Sequence, residues 1–192
     1  MCIRDRLDTS KADAKHFYIN LIAAKDIFES TDGALDPTIM PLVNYWGFGY
    51  TEKRAITNVD SMKVKQLLEL VNFENIHIVS KKGQLYVQKK YPTAQLDFSS
   101  LAKGYGVDEI GRFLEQKGMK NYLVDIGGEI RAKGVNKRSL PWQLGINTPS
   151  NEAALTAIET VISVENQSMA TSGNYRNFHE VDGIKYLSLI HI

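Results

Sequence analysis

Apolar residues recur every three or four positions in three stretches of the chain, which predicts three main helices. The first covers residues 11–30 and ends at the turn residues 31–33. The second starts near Asp60. The third runs from about Ser100 to Lys117 and ends at Gly118, since glycine is common just after the last turn of a helix.

Shorter apolar runs separated by turn residues predict β-strands. They lie at Ile76–Val79, Gln84–Gln88, Tyr122–Ile126, Glu129–Lys133 and Trp142–Ile146, with weaker patterns at Val161–Val164 and Gln167–Thr171. Lys81-Lys82-Gly83 joins the first two strands, which is typical of a hairpin. Because helices fall mostly early and strands mostly late, the sequence predicts an α+β fold, with mixed sheets packed against about three main helices in one compact unit.

The two ends of the chain carry a pattern that folding does not explain. The first six residues, Met-Cys-Ile-Arg-Asp-Arg, and the last six, Leu-Ser-Leu-Ile-His-Ile, can be encoded by DNA sequences that are reverse complements of each other. Together they resemble the translated ends of a transposase adapter used in sequencing libraries. We therefore expect residues 1–6 and 187–192 to be non-native, and residues 7–186 to form a single domain that is incomplete at both ends.

Without these ends, the composition narrows the functional classes. The ends carry two arginines and one aspartate, so removing them lowers the formal net charge from +1 to zero, and they also carry the only cysteine. A neutral chain does not have the electrostatic footprint typical of binding to nucleic acid or an anionic membrane. Without cysteine, thiol catalysis and cysteine-ligated zinc are excluded within residues 7–186. The remaining histidines, His16, His77 and His179, show no metal-ligand spacing, and no apolar run approaches the roughly 20 residues of a membrane-spanning helix.

The segment Asp97–Asp108 combines residues that weaken a helix start. If the helix begins near Ser99, Lys103 opposes the helix dipole at a cost of roughly several tenths of a kcal/mol. Gly104 and Gly106 each lower the helix propensity by about 1 kcal/mol. A bound anion would offset these penalties through main-chain N–H groups and the lysine charge. Alternatively, the glycines permit close packing and the lysine simply reaches solvent, so the spacing leaves both interpretations open.

Four shorter motifs also carry candidate chemistry. Asp36 of Ala34-Leu35-Asp36-Pro37-Thr38 could accept hydrogen bonds from a ligand, although an aspartate before proline commonly only shapes a turn. The paired glycines of Asp125-Ile126-Gly127-Gly128 mark either a bulge or a close approach of a ligand. Thr171-Ser172 follows an apolar strand and suits a phosphate contact, or equally a turn. The aromatic cluster Trp46-Gly47-Phe48-Gly49 could stack on a ligand ring but is more typical of a core or lid.

Taken in chain order, these motifs resemble one family closely, the FAD:protein FMN transferases, also called ApbE or thiamine-biosynthesis-lipoprotein-like proteins. The matching stretches are Thr31–Thr38 with Pro41–Gly49, Asp97–Asp108, Val124–Gly128, Trp142–Pro149 and Ala170–Tyr175. Each stretch alone is modest, but their shared order is highly specific. The resemblance implies an ApbE-like fold and a Mg²⁺-dependent enzyme that transfers FMN from FAD to a threonine or serine hydroxyl of an acceptor protein and releases AMP.

The resemblance also implies roles for individual residues, with no catalytic side chain assigned. The candidates for binding FAD are Ala34, Leu35, Asp36, Asp97, Lys103, Thr171 and Ser172. Ser100, where the family often has alanine, would offer its main-chain carbonyl to the metal. The implied acceptors are flavin-carrying subunits of membrane redox complexes. The implied location is the periplasm or the outer face of the cell membrane, with peripheral association through an N-terminal lipid anchor upstream of this sequence.

The family pattern continues beyond the last match in this chain. After the position of Tyr186 it has a Ser-His-hydrophobic-Asp-Pro stretch, and further on an Asp and a Thr four residues apart that ligate metal. We therefore expect the 192-residue chain to bind metal poorly and to transfer no FMN, whereas the intact protein does both. Two other functions stay open, which are FAD storage without chemistry and metal-dependent FAD hydrolysis, in which water replaces the protein hydroxyl.

Overall fold

The computed structural model of the protein describes residues 3–51, 58–150, 154, 156–173, 178–181 and 184–187. The chain divides into two compact units, the first formed by Met1–Leu101 with His179–Ile192 and the second by Ala102–Phe178. The helices are α1 (Ala12–Ser30), α2 (Met40–Tyr45), α3 (Ser61–Leu68) and α4 (Ser99–Gln116), and two single 3₁₀ turns lie at Pro37–Ile39 and Phe73–Asn75.

The described strands are short and form small sheets. They are β1 (Ile3–Leu7), β2 (Ile76–Lys81), β3 (Gln84–Lys89), β4 (Tyr122–Ile126), β5 (Glu129–Lys133), β6 (Trp142–Asn147), β7 (Ile158–Val164), β8 (Gln167–Met169), β9 (Phe178–Val181) and β10 (Ile184–Leu187). The sheets have the strand orders β1-β3-β2, β4-β5-β8, β6-β7 and β10-β9. The pairings β1–β3, β2–β3, β4–β5, β5–β8 and β6–β7 are all antiparallel.

The first unit is built around the face of the β1-β3-β2 sheet. Leu21 of α1 is fully buried and belongs to one hydrophobic cluster with Ile76 of β2 and Val87 of β3. The Phe73 ring extends this cluster and lies 5.5 Å from the Phe28 ring. Aromatic pairs at this separation add stabilisation beyond the area that they bury.

The second unit is built around strands β4 and β5, whose two faces have different partners. Val107 of α4 clusters with Tyr122 and Val124 on one face of the sheet. On the opposite face, Ile130 and other residues of β5 cluster with the β6–β7 hairpin. Successive side chains of a strand point to opposite faces of the sheet, so alternate residues of β4 belong to the two different clusters.

The α+β fold class and the three main helices are confirmed, and the strands predicted between residues 76 and 171 are present with ends shifted by up to three residues. The five pairings given above are antiparallel rather than mixed. Asp60 caps α3 by accepting hydrogen bonds from two main-chain N–H groups, and Gly118 follows α4 with φ +78°. β1 was not predicted from the sequence; it includes residues 3–6, which were expected to be non-native, and it pairs with β3. No helix in the described part of the chain is long and apolar enough to cross a membrane.

Candidate functional site

Asp36 holds the turn between α1 and α2 together. One carboxylate oxygen accepts hydrogen bonds from the main-chain N–H (2.8 Å) and the hydroxyl (2.6 Å) of Thr38. The other oxygen accepts from the main-chain N–H of Phe73 at 3.1 Å. Both carboxylate oxygens therefore accept hydrogen bonds that hold the turn in place. This is the structural role that the sequence left open beside ligand binding. Ala34 is exposed and Leu35 is half-buried beside this turn, and their contact with FAD stays a prediction.

Asp97 lies next to the same turn and caps the start of α4. Its main-chain N–H donates to the Pro37 carbonyl at 2.7 Å. Its carboxylate accepts from both the main-chain N–H (2.7 Å) and the hydroxyl of Ser99. Ser100 follows in the first turn of the helix with an exposed side chain. Within the first unit, the structure thus brings together two of the predicted segments.

The second unit contains Lys103, which reaches the turn between β4 and β5. The Lys103 ammonium donates a 3.2 Å hydrogen bond to the Gly127 carbonyl. Gly127 and Gly128 have φ values of +58° and +92°, which favour glycine, and they form the two-residue turn of this hairpin. The Thr171 hydroxyl donates to the Gly128 carbonyl at 3.3 Å. The paired glycines are therefore a hairpin turn, and Lys103 and Thr171 both contact it.

Glu129 was not singled out in the sequence, yet it is the charged partner of Lys103. Its carboxylate lies 2.5 Å from the Lys103 ammonium, and its side chain is 17% exposed against 46% for the lysine. Glu129 is the first residue of β5 and pairs with Ile126 across the glycine turn. In the sequence, only its position directly after two glycines marks Glu129 as a candidate site residue. No local pattern identifies its partner, Lys103, which lies 26 residues earlier in the chain.

This pair is the first of a series of ion pairs between α4 and β5, which we call the α4–β5 ladder. The remaining pairs join Arg131 to Asp108 (2.8 Å), Arg131 to Glu115 (3.1 Å) and Lys133 to Glu115 (3.0 Å). Alternate residues of β5 supply the ladder because they share one face of the strand. The hydrogen bond from the Tyr122 hydroxyl, followed by that from Lys133, lowers the pKa of Glu115 to about 2.

The glycines of α4 differ in their surroundings. At Gly106 an added Cβ would lie 3.2 Å from the Ile126 side chain, so close packing accounts for this glycine. At Gly104 no described heavy atom lies within 4 Å of that position, so packing does not account for it. Close packing therefore explains Gly106 but not Gly104, where no described atom fills the space beside the helix.

The structure buries Trp46 of the aromatic cluster, whereas Phe48 is half-buried. Trp46 is 4% exposed, and its ring stacks on that of Tyr186 with centroids 5.1 Å apart and an interplanar angle of 24°. Among the described residues, no three His, Cys, Asp or Glu side chains are grouped closely enough to hold a metal ion. For the predicted metal position, the described chain supplies the Ser100 carbonyl without a carboxylate cluster around it.

The chain is similar in sequence to known proteins of one family. The chain is 35% identical over 158 residues to an FAD:protein FMN transferase of Escherichia coli K12, covering 80% of this chain and 43% of that protein. It is 41% identical over 156 residues to the FAD:protein FMN transferase of Haemophilus influenzae, covering 81% and 44%. The chain thus spans less than half the length of these relatives.

Solved structures and a family model match this chain to the same family as these relatives. The flavin transferase ApbE from Vibrio cholerae superposes with a TM-score of 0.75 at 34% identity, covering 91% of this chain and 53% of that one. The ApbE protein of Thermotoga maritima superposes with a TM-score of 0.74 at 28% identity, covering 89% and 53%. The model of the ApbE family matches residues 5–192. The resemblance found in the sequence is therefore confirmed, and the chain belongs to the ApbE family.

Proposed function

We propose that the protein to which this chain belongs transfers FMN from FAD to a hydroxyl group of an acceptor protein. Membership of the ApbE family and the transferases among its relatives support this activity. The observation that carries the proposal is the position of Lys103, whose ammonium is held at the Gly127–Gly128 turn, while no described atom lies within 4 Å of the Cβ position of the neighbouring Gly104. A cation fixed in the first turns of a helix, beside space that no described residue fills, suits the diphosphate of FAD.

The proposed reaction replaces the phosphoanhydride bond of FAD by a phosphate ester to the acceptor protein. The acceptor hydroxyl attacks the FMN-side phosphorus, the new oxygen–phosphorus bond forms, the diphosphate bridge breaks, AMP leaves and the hydroxyl proton passes to water. Negative charge grows on the bridging oxygen as AMP departs. Lys103 would stabilise this charge because its ammonium is already held in place, so little reorganisation is needed. Thr171 at the same turn would orient a phosphate oxygen by turning its hydroxyl proton from the Gly128 carbonyl to that oxygen.

Magnesium dependence is part of the proposal through the family resemblance. Mg²⁺ prefers six oxygen ligands in octahedral geometry and commonly retains several waters. Among the described residues, the one proposed ligand is the Ser100 carbonyl, which is too little for a metal site formed by protein groups alone. When bound, the metal would neutralise phosphate charge, and the proposed roles of Lys103 and Thr171 do not depend on it.

The proposal includes the acceptor and the compartment. We propose that the acceptors are flavin-carrying subunits of membrane redox complexes, and that the protein works in the periplasm or on the outer face of the membrane, attached peripherally through a lipid anchor. An acceptor subunit that gains covalent flavin only when this family member is exported to the periplasm would support both parts. Equal flavin attachment by a protein kept in the cytoplasm would contradict the location.

Two measurements test the activity. First, the affinity of the 192-residue chain for FAD is measured by flavin fluorescence, comparing Lys103→Met with the exposed control Lys25→Met. We expect Lys103→Met to weaken binding at least about tenfold, in line with the loss of a charge-assisted contact, and the control to leave it unchanged. Equal affinity of the two variants would place the diphosphate elsewhere.

Second, this chain and a full-length relative are incubated separately with FAD, Mg²⁺ and an acceptor subunit, and covalent flavin is scored on a denaturing gel. The full-length protein should label the acceptor, and the 192-residue chain should not. Free FMN without labelling would favour hydrolysis, and bound but intact FAD would favour storage. Labelling by the shorter chain would contradict its expected inactivity.

A further inference from the structure

The charge of Lys103 is largely cancelled where it stands. Glu129 is mostly buried, and its carboxylate lies 2.5 Å from the lysine ammonium. Within the described part of the chain, the Glu129 oxygen closest to the lysine is buried without a well-oriented hydrogen bond, so the lysine charge is its compensation. A buried carboxylate is stable when a cation offsets its loss of hydration. An incoming anion therefore meets a neutral ion pair, whose Glu129 carboxylate repels it, rather than a free cation.

The orientation of this pair is opposite to that of the rest of the α4–β5 ladder. In the other pairs the carboxylates of Asp108 and Glu115 lie on the helix and the cations lie on the strand. At the first pair the helix carries the lysine and the strand carries Glu129. Near a helix start, the dipole favours an acid on the helix, so a pair with only a structural role would be more stable the other way round. The reversed orientation puts the cation on the helix, one residue before Gly104, and the carboxylate on the strand, with no described atom within 4 Å of the Cβ position of Gly104.

We propose that Glu129 determines which phosphates this site accepts, selecting diphosphates esterified at both ends over those with a free terminal phosphate. This inference rests on the proposed function, since it takes the FAD diphosphate to lie at Lys103. At neutral pH a doubly esterified diphosphate such as that of FAD carries about two negative charges, whereas ADP carries about three. Repulsion from the Glu129 carboxylate grows with ligand charge, so it penalises ADP more than FAD.

The matched variant is Glu129→Gln. Glutamine has the same size and keeps a carbonyl oxygen that accepts a hydrogen bond from Lys103, so the ammonium stays in place while the negative charge is lost. A residue with only a structural role would lower the affinity for every ligand when it is replaced. If Glu129 selects the ligand, Glu129→Gln should instead raise the affinity for both ligands. The variant removes a repulsive charge and leaves the charge of Lys103 uncancelled.

The experiment measures the affinities of FAD and ADP for the 192-residue chain by calorimetry at low and high salt. Glu129→Gln should bind both ligands more tightly, and its gain for ADP should exceed its gain for FAD by about threefold. The excess should shrink at about 1 M salt, where charges are screened over about 3 Å. The control is Glu29→Gln, which removes the carboxylate of an exposed pair with Lys25 on α1 and should leave both affinities unchanged.

The outcomes separate this inference from the proposed function. If FAD binds and Lys103→Met weakens it, but Glu129→Gln binds ADP no better relative to FAD, the selection role of Glu129 is wrong and the site stands. If Lys103→Met binds FAD as tightly as the original chain, the ligand position is wrong and both proposals fall. The absence of FAD binding in every variant would also overturn both. Binding by Glu129→Gln alone would support the inference. Thermal unfolding of each variant verifies that it is folded.

Discussion

The carbonyl oxygen of Pro37 accepts a 2.7 Å hydrogen bond from the main-chain N–H of Asp97, although sixty residues separate the two in the sequence. Asp36, directly before this proline, accepts hydrogen bonds from Thr38 and from Phe73. One carboxylate therefore fixes the turn to which the start of α4 is attached. The stability of the first unit and the placement of Asp97 depend on the same side chain.

Replacing Asp36 should destabilise the first unit. Asp36→Ala removes the acceptor of three hydrogen bonds and leaves the partly buried N–H group of Phe73 without it. At about 1 kcal/mol for each hydrogen bond, the free energy of unfolding should fall by about 2–4 kcal/mol. Urea unfolding followed by circular dichroism measures this loss. Asp36→Asn keeps one acceptor oxygen and should lose less, whereas Asp26→Ala on the exposed side of α1 should change stability by less than about 0.5 kcal/mol.

The glycines of α4 give a prediction in which stability and binding change in opposite directions. Gly104→Ala meets no described atom within 4 Å, so its gain in helix propensity should raise the free energy of unfolding by up to about 1 kcal/mol. The same methyl group occupies the space proposed for the ligand, so FAD affinity should fall. A variant with higher stability and unchanged FAD affinity would show that the ligand does not approach this glycine.

Gly111→Ala is the matched comparison in the same helix. Its Cβ would lie 2.8 Å from Cδ of Arg131 and 2.9 Å from the Tyr122 hydroxyl, which is too close for either contact. Because the Arg131 side chain would have to move away from the ladder, the unfolding free energy should fall by about 1–3 kcal/mol. Stability equal to that of Gly104→Ala would mean that the ladder does not pack against this position.

The local elements of this fold could be predicted because their signals are local. The periodicity of residues 12–30, the cap at Asp60 and the glycine after α4 each act within a few residues. The candidate segments could be recognised for the same reason, since each motif is contiguous. Their order along the chain then indicated the family, which no single motif could do.

The partners of the site residues could not be predicted because they depend on how elements pack. Glu129 pairs with Lys103 only because β5 lies beside α4 in one particular register, and a shift by one residue would turn Glu129 to the other face. The second oxygen of Asp36 bonds to Phe73, which lies 37 residues away. The packing role of Gly106 likewise follows from where β4 lies, although Gly104 and Gly106 look alike in the sequence.

Acid should weaken the second unit through Glu115. Its pKa in the folded state is about 2, below the ordinary value of 4.5, because the Tyr122 hydroxyl and Lys133 bond to the charged form. A lowered pKa stabilises the fold at pH values above 4.5, and this contribution is lost as the pH falls towards 2. The difference in unfolding free energy between the original chain and Glu115→Gln should therefore be constant from about pH 7 to about 5 and shrink below about pH 4.5.

Tyr122→Phe shows whether the hydroxyl is the main cause of this shift. Without that hydrogen bond the pKa of Glu115 should rise towards 4.5, so the acid-induced loss of stability should still begin near pH 4.5 but should be smaller and complete at a higher pH than in the original chain. Thermal unfolding at intervals between about pH 2 and about pH 7 measures both variants. A stability difference for Glu115→Gln that does not change over this range would contradict the ion-pair role of Glu115.

The stack between Trp46 and Tyr186 can be followed by fluorescence. The chain has two tryptophans, so Trp142→Phe gives a background in which emission comes from Trp46 alone. Tyr186→Ala removes the ring that covers one face of the indole, which is 4% exposed in the fold. Water should reach the indole, shifting its emission to longer wavelength, and the unfolding free energy should fall by about 1–3 kcal/mol from lost ring burial and stacking. Tyr186→Phe keeps the stacked ring and should leave the emission maximum in place. An unchanged maximum in Tyr186→Ala would mean that β10 does not cover Trp46, and that the indole is buried by other residues of the first unit.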